Sequence, residues 1–282
     1  MRQFLLSAIH FFVLLACITI ALELSLARAN RVSHGQYRIG EIVYQVLEAA
    51  DAPHPQVTTL ILGDSVALQL FHLHAEPSPR FLNLPSTAAV SVGGQYCVLQ
   101  RVIDHAPHLR QVYLLMTPRS WANNLDQIFT HDYFCGYFHS PSLVWEVWSL
   151  EHDPQLTEAH LGRMLLPNIM AENSYLNRSQ SASGVPIVPV GFDPAHRLSR
   201  ASVYFLGKMK HLCRERHIDL KVLPCPCVGN AAQLAALAPV YDAPIEFYDP
   251  DLFTPDGIHL QNPKVGPVRE HFIAKFHLLD ED

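Results

Sequence analysis

Short apolar runs alternate with amphipathic stretches from residue 57 onward. Residues 57–62 (Val-Thr-Thr-Leu-Ile-Leu) are apolar and rich in β-branched side chains, and Gly63-Asp64 closes them, which predicts a core strand ending in a turn. Residues 66–74 predict the helix that follows, and Phe81-Leu82-Asn83-Leu84 a short second strand. Val90-Ser91-Val92 runs into Gly93-Gly94, after which an amphipathic helix is predicted over 95–105. Residues 111–116 read as the third strand, ended by Thr117-Pro118. A strong amphipathic helix is predicted over 197–217, a strand over 218–223 stopped by Pro224-Cys225-Pro226, a last short strand over 245–248 and a closing helix over 263–278. Strand and helix in this alternation predict an α/β fold, a three-layer α/β/α sandwich on a mainly parallel sheet of about five strands.

Two regions break the pattern. Residues 119–197 are less regular: they hold Trp121, Trp145 and Trp148, a helical stretch at 155–170, and a Ser-, Gly- and Pro-rich loop at 179–193. An insertion of this kind is expected to form the cap or wall of a cleft. At the other end, residues 4–22 are almost wholly apolar, and roughly 20 such residues span a bilayer. A retained signal anchor is the preferred reading because the run is long for a signal peptide. Cleavage after Ala27-Arg28-Ala29 and lipidation of Cys17 in Leu14-Leu15-Ala16-Cys17 are the alternatives, although Ile18 to Leu22 carry the apolar run past the cysteine. Each places the following domain outside the cytoplasm, periplasmic or extracellular. The flanking arginines give this orientation little help, since Arg28 and Arg31 follow the segment and Arg2 alone precedes it. Residues 1–29 are therefore assigned to targeting and 30–282 to one domain.

Composition narrows the picture. A chain of 282 residues, 49% of them hydrophobic, can bury a large core, and no linker-like stretch divides it into two units. A net charge of -6 argues against a nucleic-acid partner. The 17 histidines are scattered without metal-ligand spacing, apart from His72-Leu73-His74, and are read as structural or surface groups. Beyond the apolar segment lie Cys97, Cys135, Cys213, Cys225 and Cys227, an odd set read as buried thiols or one or two structural disulfides. Cys225-Pro226-Cys227 is not a Cys-x-x-Cys motif, and no His or Asp accompanies it at a suggestive spacing.

The candidate chemistry sits at the edges of the apolar runs. Ser65 follows the first strand and would begin a helix, whose free N–H groups face an incoming oxyanion. Asp256 and His259 lie close together in a late loop. A serine hydroxyl needs a base to take its proton, and a histidine base works best when a carboxylate orients it. Ser65 is thus the candidate nucleophile, His259 the general base and Asp256 its orienter. These groups need no metal or organic cofactor.

Gly63-Asp64-Ser65 and the late Asp256-Gly257-Ile258-His259 resemble the first and last blocks of the SGNH/GDSL hydrolases, over roughly residues 57–280. The resemblance implies that Ser65, Asp256 and His259 form a triad. It also implies an oxyanion hole built from the Ser65 N–H and a second-block glycine, Gly93 or Gly94. The third block departs from the family. No Asn follows Met116, and the sequence reads Thr117-Pro118-Arg119-Ser120-Trp121, with Asn123 and Asn124 only later. That segment is similar to one in the D-alanyl transfer proteins of teichoic-acid modification. The plan of anchor plus domain is similar to membrane-anchored acyltransferases of the alginate O-acetylation type. This similarity implies an esterase or O-acyltransferase acting on an acylated envelope glycan, with Arg119 and Trp121 near the substrate and a membrane-bound acyl donor protein as a partner. The alternative is a catalytically degenerate domain of the same family that binds a glycan or scaffolds an envelope complex, which the missing Asn favours.

Overall fold

A computed structural model describes residues 2–32, 41–73, 78–86, 92–122 and 198–279. Four strands, β1 (Thr59–Gly63), β2 (Phe81–Asn83), β3 (Gln111–Met116) and β4 (Asp219–Pro224), form one sheet in the order β2-β1-β3-β4, and every pairing is parallel. The helices are α1 (Arg2–Val32), α2 (Glu41–Asp51), α3 (Ser65–Leu70), α4 (Val92–Ile103), α5 (Arg200–Glu215), α6 (Ala231–Leu234) and α7 (Asn262–Phe276).

Alternation along the strands sorts the core into two halves. Leu60, Leu62, Val112, Leu114, Met116 and Val222 face one side, where they pack with Val46 of α2, Val98 and Val102 of α4, and Phe205 and Met209 of α5. Ile61, Tyr113, Leu115 and Leu223 face the other, against Val66, Ala67 and Leu70 of α3 and Val268 and Phe272 of α7. Both faces of the sheet are covered, which is why the strands are nearly continuous apolar runs. Each such side chain, fully buried, contributes ~1.5–3 kcal/mol of hydrophobic stabilisation. The result is the three-layer α/β/α sandwich expected from the alternation.

The sheet has four strands rather than about five among the described residues. Residues 245–248 form no strand of the sheet, and Phe247 makes an isolated parallel bridge with Cys227, beyond the end of β4. The outer edge of β4 is instead closed by one residue: Asp242 accepts from the Val222 N–H and donates its own N–H to the Val222 carbonyl. With those edge groups taken, residues 245–248 cannot pair with β4 at Val222.

Element ends also shift. α3 stops at Leu70, short of His74, and α4 begins at Val92, which places Gly93 and Gly94 inside its first turn rather than in a turn before it. Cys97, Cys213, Cys225 and Cys227 are all buried, and Cys213, Cys225 and Cys227 are free thiols. The 21 residues of Leu6–Leu26 in α1 have a mean hydropathy of 2.2 and none of them is buried, so this helix is long and apolar enough to cross a membrane. Most of the expected insertion lies outside the described residues, including Asn123, Asn124, Cys135, Trp145, Trp148, the 155–170 helix and the 179–193 loop; so does His74.

The strand order sets the position of the site. The chain leaves β1 on one side to reach β2, then crosses to the other side for β3, so β1 and β3 flank a topological switch point. Open parallel sheets carry ligand crevices at such a point, outside the carboxyl ends of the strands. β1 ends at Gly63 and β3 at Met116. Residues 64–65 and 117–120 therefore share one edge.

Candidate active site

Gly63 is where β1, β3 and α3 come closest. A Cβ at this position would lie 2.3 Å from the Leu115 carbonyl oxygen and 2.4 Å from the Ala67 Cβ, so only glycine fits. Its main chain is gripped by a side chain from α4: Gln95 accepts from the Gly63 N–H at 3.0 Å and donates to the Gly63 carbonyl at 2.7 Å. This contact brings the first turn of α4, with Gly93 and Gly94, against the end of β1.

Asp64 follows in extended geometry and caps α3. One carboxylate oxygen accepts from the Val66 and Ala67 N–H groups at 3.1 and 3.4 Å, as a helix N-cap does. The other accepts from the Thr117 N–H and hydroxyl, both at 2.7 Å, and from the Ser120 hydroxyl at 2.6 Å. Asp64 is 1% exposed, and these five donors satisfy it without a cation. It locks the start of α3 to the 3₁₀ turn Pro118–Ala122 at the end of β3.

Ser65 is the first residue of α3 and is partly exposed. Its hydroxyl lies 2.9 Å from His259 Nε2. His259 Nδ1 lies 2.6 Å from Asp256 Oδ2. With Nδ1 donating to the carboxylate, Nε2 is left to accept the serine proton. The three residues expected from sequence are thus joined in one hydrogen-bonded chain.

The turn carrying Asp256 and His259 is held by its own backbone. Asp256 Oδ1 accepts from the Thr254 hydroxyl at 2.6 Å, the Ile258 N–H at 2.8 Å and the His259 N–H at 3.0 Å. Gly257 takes a positive φ of 66° between them, a conformation that costs a glycine little. The Thr254 N–H donates to the His259 carbonyl at 2.7 Å, and Phe253 bridges Leu260 in antiparallel fashion. Leu260 is also tied to α3, since Gln69 donates to its carbonyl at 3.1 Å and accepts from its N–H at 2.9 Å.

Burial pushes the Asp256 carboxyl upward, but the bonds from His259, Thr254 and the two N–H groups outweigh it and hold the group well below the usual carboxylate range. Asp256 therefore stays ionised beside the imidazole, where its charge would favour an imidazolium formed by taking the Ser65 proton. The cysteines have the opposite character. Burial pushes the Cys227 thiol up to about 12 and Cys225 well above its ordinary value, so neither is poised as a thiolate.

The Ser65 N–H, at the first position of α3, has no hydrogen-bond partner among the described residues and faces the end where an oxyanion would be held. Gly93 and Gly94, the other candidates for the oxyanion hole, lie buried in the first turn of α4. The segment after β3 is committed elsewhere: Thr117 gives both its donors to Asp64. Arg119 is half-buried on this edge.

Trp121 departs from expectation. It is fully buried, its ring packs edge-on to Tyr241, and its Nε1–H donates to the Tyr241 hydroxyl at 2.7 Å. That hydroxyl in turn donates to the Met116 carbonyl at 3.0 Å. Trp121 is thus a core residue that fastens the end of β3, and it has no face turned to a substrate.

Asp64, Gln95, Gln69, Thr254 and Ser120 were not singled out by sequence reasoning. Asp64 had a usable signal, since an Asp directly before a helix is a preferred cap. Gln95 had a weaker one, a polar side chain inside a stretch of α4 that is buried throughout. Among the described residues, no three His, Cys, Asp or Glu side chains gather as a metal site. No protein-family model, curated protein or solved structure matches the chain.

Proposed function

We propose that the protein is a serine esterase or O-acyltransferase of the SGNH/GDSL type that works through an acyl-enzyme on Ser65. The observation that carries this reading is the chain Asp256–His259–Ser65, with contacts of 2.6 and 2.9 Å at the carboxyl edge of β1. His259 Nε2 takes the Ser65 proton as Oγ attacks the ester carbonyl. The tetrahedral oxyanion is met by the Ser65 N–H and by Gly93 or Gly94, each donor being worth a few kcal/mol, about 3, at the transition state. The imidazolium then protonates the departing alkoxide. Water or an acceptor hydroxyl, deprotonated by the same imidazole, releases the acyl group.

The substrate class follows from the anchor and the segment after β3. An apolar N-terminal helix holds the domain at a membrane surface on the extracytoplasmic side, and the ester is carried by an envelope glycan. Arg119, on the edge beside Asp64, contacts the substrate, and a membrane-bound protein supplies the acyl group if transfer rather than hydrolysis occurs. The second reading, a non-catalytic glycan-binding or scaffolding domain, is favoured by one observation: the Thr117 N–H belongs to Asp64, so this segment offers no third oxyanion donor.

The test is turnover of p-nitrophenyl acetate by the full chain in detergent micelles, beside Ser65→Ala and His259→Ala. Turnover that both variants lose supports the triad. A wild type as inert as its variants, to the ester and to a fluorophosphonate, selects the binding reading.

A further inference from the structure

The nucleophile and its base come from elements far apart in the chain, and the contact between Ser65 and His259 is a single hydrogen bond. One bond fixes a distance but leaves the two elements free to pivot about it. A second contact lies beside the first. Gln69 follows Ser65 by four residues on α3, so the two side chains share one face of the helix, about 5–6 Å apart. Leu260 follows His259 directly. The Gln69 amide meets both main-chain groups of Leu260, accepting from its N–H at 2.9 Å and donating to its carbonyl at 3.1 Å. Both ends of the amide are engaged, and this two-point grip sets the orientation of the Leu260 peptide as well as its distance.

The surroundings make this contact decisive for the base. α3 is only six residues long, and at its far end Arg269 of α7 donates to the Leu70 carbonyl at 2.8 Å. The turn bearing His259 is rigid within itself, through Asp256, the Thr254 N–H and the bridge from Phe253 to Leu260. Two rigid pieces, α3 and the turn, therefore meet through Ser65–His259 and Gln69–Leu260. Gln261, next along, turns away and donates to the carbonyls of Asp251 and Phe253 instead.

We infer that Gln69 is a positioning residue that sets the alignment of the His259 imidazole on the Ser65 hydroxyl by holding the Leu260 backbone to α3. The inference rests on the serine-ester reading of the site for its effect on turnover, though not for the geometry. Gln69 touches neither substrate nor reacting atoms, and its loss lets the base drift by a fraction of an ångström to an ångström. A misplacement of that size costs up to ~100-fold in rate.

The experiment uses the full chain in detergent micelles and five variants: Ser65→Ala, Gln69→Leu, Gln69→Glu, His259→Ala and the double variant Gln69→Leu/His259→Ala. Gln69→Leu is expected to lower kcat for p-nitrophenyl acetate by ~10–100-fold, with KM within about twofold. The double variant is expected to match His259→Ala, because a residue that acts through the base has nothing left to position. Gln69→Glu keeps the acceptor for the Leu260 N–H and loses the donor, so a smaller loss is expected. It also stands in if Gln69→Leu fails to fold. Wild-type kcat in the folded Gln69 variants overturns the inference. So does an equal further loss in the His259→Ala background, which marks general damage. If Ser65→Ala retains full turnover, the serine-ester reading fails on its own. The inference is then judged by nitrogen NMR of the His259 imidazole, assigned from its absence in His259→Ala. A signal moved by Gln69→Leu upholds it and an unmoved one overturns it.

Discussion

Replacing Asp64 by Asn tests whether one buried carboxylate holds the site together. The change conserves shape, so its cost lies in hydrogen bonding. In the better of the two amide orientations, the carbonyl oxygen keeps the Val66 and Ala67 N–H groups, and the NH₂ replaces the oxygen that faces Thr117 and Ser120. The Thr117 N–H cannot turn away, so a charge-assisted bond worth ~1.5–3 kcal/mol becomes donor against donor. The Thr117 and Ser120 hydroxyls can rotate to accept, exchanging charge-assisted bonds for neutral ones at ~1 kcal/mol each. Relief from burying a charge offsets part of this loss. The flipped amide is worse, since it sets the NH₂ against two fixed N–H donors. The balance is a loss of ~2–4 kcal/mol, or ~5–15 °C in Tm for a domain of this size. Circular dichroism melting of the full chain in micelles reads it directly. A Tm within ~2 °C of wild type would refute the claim that these five donors depend on a charged acceptor.

Other outcomes follow from the same geometry. Asp256→Asn, by contrast, changes a group whose side chain is 38% exposed, so ester turnover is expected to fall by ~10³–10⁴-fold with little change in melting. Gly63→Ala forces a methyl onto the Leu115 carbonyl and Ala67, and urea titration is expected to show a loss of ~3 kcal/mol or more. Because hydrogen bonds depress the Asp256 pKa, protonation of Asp256 is expected to cost activity only well below the usual carboxylate range. Thr254→Val removes one of those bonds and raises the carboxyl toward its ordinary range, so the loss of kcat/KM from Asp256 protonation is expected to begin at a higher pH. The same sign governs stability. A depressed carboxylate stabilises the fold above its unfolded pKa of about 4, and that contribution is lost as pH falls toward the folded value. Cys97, Cys213, Cys225 and Cys227 are expected to react with maleimide only after unfolding, at a rate that follows loss of ellipticity.

The layers and the triad were legible in the sequence for different reasons. β1, β3 and the second half of β4 are buried on both faces, so their apolar runs stand out whatever packs on them. Ser65, Asp256 and His259 stood out because their chemistry demands those residue types near strand ends. Residues 245–248 misled because an apolar run says nothing about whether a free sheet edge remains, and here Asp242 occupies it. Trp121 misled for a related reason. An aromatic residue beside a site suits a cleft wall and a core equally, and only the partner for its N–H decides. Gln69 was beyond reach, and Gln95 gave only a weak signal. Each is a single amide in an otherwise ordinary helix, and its partners lie 191 and 32 residues away.

The separation of Ser65 and His259 by 194 residues has a consequence in time. A ribosome adding ~5–20 residues per second delivers the base roughly 10–40 s after the nucleophile. Over that interval α3 can form and its serine can be displayed, yet the His259 imidazole that would draw off its proton has not been made. Closing so long a loop is also slow and entropically costly, so the pair meets only when the sheet is already built. Under the proposed reading, a partly made chain is chemically silent, and a fluorophosphonate would mark only molecules whose folding is finished.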